Sequence, residues 1–411
     1  MSTASPRPRP LLPLILIGAG ATFAGLGLGR FAYATLLPQL IEADWFSPAQ
    51  ASYIGAANLL GYLLGALASA PLMRRFSSRA LIRINLLVIL LGFVASAWPA
   101  PFLWFAFWRL LAGISGAALM VVGTASMLGA MQEEDRKRGG PCLFLGIGLG
   151  ILASATLVPT LLALSLSAAW LGLAAISTLP LGLALWHWPA GIGERRPTPQ
   201  ERAPSPGGAG SDSPRLGRAS RHAVVAVMIA YGLDAIGFVP HTLFWVDTLV
   251  RQLGQPQGMG TLQWALFGIG ALLGPFVAGS LATRLGWHRA LVSALALKGL
   301  AVALPLLGGG LTGLSLSSLL VGALIPASVA LTSGRLAELG GATHHPRLWG
   351  LATASFAAAQ ALGAFVFAEL YVRLDYSLVV YALAAIALGV AAVLLLIQPR
   401  LDAQPSPYRG T

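Results

Sequence analysis

Residues 102–129 read FLWFAFWRLLAGISGAALMVVGTASMLG, 28 residues in which Arg109 is the single charged side chain. At about 1.5 Å per helical residue such a run reaches roughly 40 Å, enough to cross the ~30 Å hydrocarbon core of a bilayer. The stretch predicts a membrane-spanning helix. Two of its glycines, Gly113 and Gly116, suit a helix that packs closely on neighbours in lipid, where small residues let backbones approach.

Segments of the same kind recur along the chain. Of its 411 residues 56% are hydrophobic and 10% charged, a balance that excludes an ordinary water-soluble enzyme of this length. The expected spans are 11–38, 48–73, 80–98, 102–129, 141–163 and 166–188, then 222–250, 258–282, 289–308, 311–334, 347–369 and 376–398. The first follows a short tail with two arginines and runs on to Pro38, so it reads as a span rather than a cleaved leader. The fold class is therefore an all-α membrane protein with twelve transmembrane helices in two pseudo-symmetric six-helix bundles. Its parts are a tail 1–10, a bundle 11–188, a Pro-, Gly-, Ser- and Arg-rich linker 189–221, a bundle 222–398 and a tail 399–411.

The net charge of +12 would suggest nucleic acid in a soluble protein, so its placement matters. With a cytoplasmic N-terminus, 21 of the 26 Lys and Arg fall on the cytoplasmic side, Arg251 and Arg373 fall outside, and Arg30, Arg109 and Lys298 lie within spans. The excess obeys the positive-inside rule and calls for no nucleic acid. It predicts an inner-membrane protein with both termini cytoplasmic. One cysteine, Cys142, excludes a disulfide framework and a Cys-built metal site. Adjacent His344 and His345 do not converge on a metal ion, and no G-x-x-x-x-G-K-[ST] stretch points to ATP. No metal or cofactor is expected.

An internal repeat at an offset of 209 residues supports two halves: Gly61-Tyr-Leu-Leu-Gly65 returns as Gly270-Ala-Leu-Leu-Gly274, Arg75 as Arg284 and Gly113 as Gly322. A duplication of six helices is the parallel repeat of major facilitator transporters. Arg109-Leu-Leu-Ala-Gly113-Ile-Ser-Gly116-Ala-Ala resembles that superfamily's R-x-x-x-G-x-x-G-A-A motif. The stretch around Arg74, Arg75 and Arg79 resembles its G-x-x-x-D-R-x-G-R loop, as does Gly279-Ser-Leu-Ala-Thr283-Arg284-Leu-Gly286, although Arg74 and Thr283 stand at the acidic position. Gly27-Leu-Gly29-Arg30-Phe31-Ala-Tyr33 with Asn58-Leu-Leu-Gly61-Tyr62 is similar to the YbfB/YjiJ branch. The resemblance covers nearly the whole chain and implies solute transport, with Arg75, Arg79 and Arg284 in gating loops. The fifth span has Gly146, Gly148 and Gly150 but lacks the G-P-x-x-G-G pattern of drug antiporters.

Ionised side chains within a bilayer cost about 3 kcal/mol on insertion scales, so each should face a cavity or a partner. Arg30 and Arg109 stand at similar depths, and two guanidiniums there would take a carboxylate or phosphate; the competing reading is that they brace carbonyls near Gly27, Gly29 and Gly113. Asp234 lies near the midplane of the seventh span and His241 two turns later. The two read either as a proton relay or, for Asp234, as a fixed partner of Arg30 or Arg109. Tyr33, Asn58, Tyr62, His241 and Gln360 are candidate substrate contacts, with interhelical hydrogen bonding as the alternative for the polar residues among them. Trp45, Trp98 and Trp188 read as interfacial anchors, Lys298 as a lysine reaching cytoplasmic headgroups, and Asp247 and Glu369 as residues of outer helix ends.

The sequence thus predicts a proton-coupled or facilitative secondary transporter of a small organic solute, preferably bearing a carboxylate, monomeric in the lipid bilayer. It is not read as an enzyme. A non-transporting receptor or assembly factor on the same scaffold, or a membrane enzyme acting on lipid-linked substrates, are the alternatives.

Overall fold

The computed structural model describes residues 11–189, 192, 218–308, 310–374 and 378–398, so the two expected tails and most of 189–221 lie outside it. Eleven segments of the described residues are long and apolar enough to cross a membrane. In chain order the helices are α1 (Leu11–Thr22), α2 (Tyr33–Glu42), α3 (Pro48–Arg75), α4 (Ser78–Ala95), α5 (Phe102–Ala118), α6 (Thr124–Ala130), α7 (Glu133–Gly139), α8 (Cys142–Leu162) and α9 (Leu166–Trp186). The C-terminal half follows with α10 (Arg218–Gly237), α11 (Val239–Leu243), α12 (Trp245–Asp247), α13 (Gln257–Ala303), α14 (Gly310–Arg373) and α15 (Leu378–Leu396).

Local chemistry sets the helix ends. The Ser47 hydroxyl accepts the Gln50 N–H at 3.2 Å, Gln50 Oε1 accepts the Ser47 N–H at 3.1 Å, and Pro48 fills the first turn, where a missing N–H is harmless. At the far end of α3, Phe76 leaves the helix in an extended conformation and Ser77 caps α4 through the Ala80 N–H at 3.2 Å. The basic 74–79 stretch is therefore a short capped joint. In the C-terminal half, α13 and α14 each hold two helices joined across a kink, at Gly286 (φ 75°) and Gly341 (φ 59°). Only glycine adopts positive φ without steric cost, and it lets so short a joint turn the chain. The 51-residue segment Gln257–Leu307 accordingly covers two expected spans, 258–282 and 289–308.

The repeat is also a repeat of packing. A Cβ on Gly61 would lie 2.1 Å from the Leu110 carbonyl oxygen, and one on Gly270 would lie 2.2 Å from that of Leu319. On Gly113 it would meet the Asn58 oxygen at 2.0 Å, and on Gly322 the Phe267 oxygen at 2.1 Å. Gly65 and Gly274 behave alike toward the Ile114 and Ala323 oxygens, at 2.3 and 2.5 Å. The partners Leu110 and Leu319, Asn58 and Phe267, and Ile114 and Ala323 are themselves each 209 residues apart. In each half two helices touch backbone to backbone through equivalent glycines, the close contact that lipid-embedded helices use in place of a hydrophobic drive.

Two of the expected spans are interrupted. The first passes from α1 into a π-helical stretch, Phe23–Leu28, and a turn before α2. The seventh breaks at Phe238 (φ −102°, ψ −4°) and again at Phe244 (φ −109°, ψ −7°). The segments beyond these breaks, α2 on one side and α11 and α12 on the other, pack on each other, and the halves also meet along α8 with α13 and α3 with α14. Leu103, Leu179 and Leu362 lie on the outside at 76%, 64% and 66% exposure, as on a surface that faces hydrocarbon.

Candidate functional site

Arg30 occupies the turn that ends the π-helical stretch, at the junction of the halves, and is 9% exposed. Its Nη2 donates to Gln360 Oε1 of α14 at 3.1 Å. The guanidinium carbon stands 4.9, 5.4 and 5.7 Å from the ring centroids of Phe31, Tyr62 and Phe238, an aromatic cage that attracts a cation. Among the described residues no carboxylate pairs with it. The Nε of Arg30 and the Nε2 of Gln360 are both buried and without a hydrogen-bond partner.

Arg109, 1% exposed, has a separate cage. Tyr33, Phe93 and Trp170 surround its guanidinium at 5.8, 5.6 and 5.5 Å, and its Nη1 donates to the Gly29 carbonyl at 3.3 Å. Asn58 Nδ2 donates to the same Gly29 carbonyl at 3.3 Å and to the Arg109 carbonyl at 3.0 Å. Thus Arg109 and Asn58 hold the turn that presents Arg30. The two arginines share no ring, and the cage around Arg109 comes from the N-terminal half alone. Tyr33 donates to the Ala51 carbonyl at 2.7 Å, and the Tyr62 ring lies under Arg30.

Lys298 requires a correction. Expected at the headgroups, it is instead fully buried, and its Nζ donates to Asp234 Oδ1 at 2.7 Å. Unpaired, either charge would be costly among these apolar neighbours, and pairing offsets that cost. Asp234 therefore pairs with Lys298 and not with Arg30 or Arg109, and its second oxygen has no hydrogen-bond partner. Lys298 Nζ also lies 5.5 Å from the Phe238 ring that Arg30 approaches from the other cage. Phe238, at the first break of the seventh span, lies within 6 Å of both cations.

His241 is separated from Asp234 by that break, and its Nε2 lies 2.8 Å from Ser317 Oγ. It stacks on Trp245 with centroids 4.5 Å apart and meets Tyr381 edge-on at 5.2 Å. Asp247, expected at a solvated helix end, is fully buried and accepts from Arg251 Nη1 at 3.0 Å and from the Tyr371 hydroxyl. Glu369 of α14 accepts from Tyr53 of α3 across the halves and from Arg373. Arg75 and Arg284 are exposed at the joints and Arg79 is half-buried. No group of three or more His, Cys, Asp or Glu converges among the described residues.

Sequence reasoning missed three features. The Asp247–Tyr371 contact and the Lys298 partner each join residues from segments read separately, and the buried Arg335 pairs with Glu338 one turn along the same helix. The available signal for the last was two opposite charges, Asp234 and Lys298, in apolar spans of the same half.

Such a chain, with many apolar crossings, an internal repeat and a lone cation where the halves meet, has the features of a multi-pass membrane transporter. It belongs to the family described as "Uncharacterised MFS-type transporter YbfB", which it matches over residues 22–396. No curated protein sequence matches it. Among solved structures it is similar to a peptide transporter POT, with a TM-score of 0.73, 17% identity and coverage of 95% of this chain and 94% of that one. A POT family transporter in complex with 5-aminolevulinic acid gives 0.73 at 14% identity, covering 95% and 96%. The nucleoside transporter NupG gives 0.72 at 15% identity, covering 94% and 100%. At these identities the likeness speaks for the fold.

Proposed function

We propose that this protein is a secondary active transporter that carries a small organic solute bearing a carboxylate, through a site centred on Arg30, by alternating access. The chain then crosses the membrane twelve times, with the segment bent at Gly286 counting as two crossings. Two six-helix bundles, 11–188 and 222–398, rock about the site. The basic loops lie in the cytoplasm of the cell that holds the protein in its inner membrane, and both termini are on that side. Protons supply the coupling ion through Asp234, and the transporter works as a monomer.

The observation that carries this reading is Arg30 itself: a buried cation at the junction of the halves, held by rings and one amide and without an acidic partner among the described residues. A charge kept in that condition suits a ligand that brings the counter-charge with it. The test is counterflow into proteoliposomes with a panel of labelled carboxylates and neutral solutes. Wild type should exchange at least one carboxylate and Arg30→Ala should lose that exchange by tenfold or more. Exchange of neutral solutes alone, unaffected by Arg30→Ala, would remove the carboxylate reading; specific binding without flux would make the protein a receptor.

A further inference from the structure

We infer that Arg30 and Gln360 form a two-part clamp for one carboxylate, and that the substrate is a monoanion with an apolar or aromatic body. The inference rests on the transport reading and sharpens it to a ligand class.

Hydrogen-bond accounting leads to the clamp. Gln360 Oε1 already accepts from Arg30 Nη2, which leaves its NH2 group without an acceptor, and Arg30 Nε–H is likewise orphaned. Both groups are donors, and both are buried. A buried donor left unsatisfied costs about 1–3 kcal/mol, more when charged, so two of them side by side call for acceptor atoms. A carboxylate has two acceptor oxygens in one plane, which match an amide N–H and a guanidinium N–H.

Charge accounting sets the valence. Of the other buried cations nearby, one is neutralised and one belongs to a separate cage. Lys298, near the same Phe238 ring, is neutralised by Asp234, and Arg109, whose Nε and Nη2 also lack a hydrogen-bond partner, is set apart among Tyr33, Phe93 and Trp170. Arg30 is then the one unneutralised cation within the cage of Phe31, Tyr62 and Phe238, and the second charge of a dianion would find no cation in that cage to pair with. Phe31, Tyr62 and Phe238 supply apolar faces for the rest of the molecule. Because Arg30 comes from one half and Gln360 from the other, the clamp is complete only while the halves are together, so the carboxylate itself favours the closed arrangement.

Gln360→Glu tests this without any ligand, since it builds the carboxylate into the clamp. In detergent the variant should unfold several degrees above wild type, and the gain should vanish in Arg30→Gln/Gln360→Glu. Benzoate, which should raise the unfolding midpoint of wild type more than acetate, succinate or inorganic phosphate does, should have no effect on Gln360→Glu. An unchanged or lowered midpoint in Gln360→Glu that Arg30→Gln does not alter would overturn the clamp. Should that variant fail to fold, Gln360→Leu serves: loss of the benzoate response supports the clamp, and an undiminished response overturns it while leaving Arg30 as a carboxylate site. No response of wild type to benzoate overturns the ligand class. These readings need no flux, so a failure of transport in vesicles is separately visible.

Discussion

At the scale of single residues, two of the buried charges satisfy each other, Asp234 and Lys298, whereas Arg30 has no acidic partner among the described residues. The first arrangement predicts strong non-additivity. Lys298→Met leaves Asp234 alone among apolar side chains, and removing one partner of a buried pair costs about 3–5 kcal/mol. Asp234→Asn/Lys298→Met removes both charges and should recover most of that loss in thermal unfolding. A double variant as unstable as Lys298→Met would show that the pair does not hold the helices. If Asp234 also carries the coupling proton, the double variant should exchange solute but no longer accumulate it when a pH gradient is imposed. Charges inside apolar runs were easy to find in the sequence, since Arg30, Arg109 and Asp234 stand out against their surroundings. Their partners were not, because a lysine stem reaches headgroups or a neighbouring helix with equal ease, and only packing decides. The same limit hid the orphaned amide of Gln360, which reads in sequence as one more polar residue on a helix.

Helices and their contacts were legible where a period or a repeat marked them. The 209-residue repeat identified Gly61, Gly113, Gly270 and Gly322, and the structure gives each the same task, a backbone contact that a Cβ would obstruct at 2.0–2.2 Å. That equivalence predicts a parallel response: Gly113→Ala and Gly322→Ala should each destabilise the protein by about 1–3 kcal/mol, as overpacking does. Gly129, on α6, has nothing within 4 Å of the added carbon. Gly129→Ala should therefore be neutral or stabilising by up to ~1 kcal/mol through helix propensity. Thermal unfolding of the three variants decides it, and equal effects would mean that the close contacts carry no energy. The interruptions of the first and seventh spans were not legible. Apolar composition reads straight through a π-helical turn, and the break at Phe238 precedes Pro240, whose missing N–H cannot join the helical ladder. The joints at Gly286 and Gly341 were expected as ordinary loops and are tighter because glycine accepts positive φ there.

For the molecule as a whole, the contacts between the halves run from mid-helix to one end. Gln39 Nε2 of α2 lies 3.4 Å from Gln257 Oε1 at the start of α13, Tyr53 meets Glu369, and Trp264 Nε1 donates to Ser154 Oγ at 3.1 Å. Gln39, Tyr53, Gln257 and Glu369 lie near the helix ends remote from the basic joints at 74–79 and 283–288. With those joints in the cytoplasm, the arrangement is the one closed to the outside, and alternating access requires this seam to part during each cycle. A covalent link across it should therefore stop transport without unfolding the protein. Cys142 is the one native cysteine, so the link is made in a Cys142→Ser background with Gln39→Cys and Gln257→Cys. Oxidation should abolish counterflow, dithiothreitol should restore it, and either single cysteine should be insensitive to both. Counterflow that persists at full rate in the cross-linked protein would mean that the seam never opens, and the solute path would then have to lie elsewhere than between the halves. A block reversed by reduction would instead tie the Arg30–Gln360 contact to a working cycle, because that contact bridges the same two halves and has to separate when the seam does.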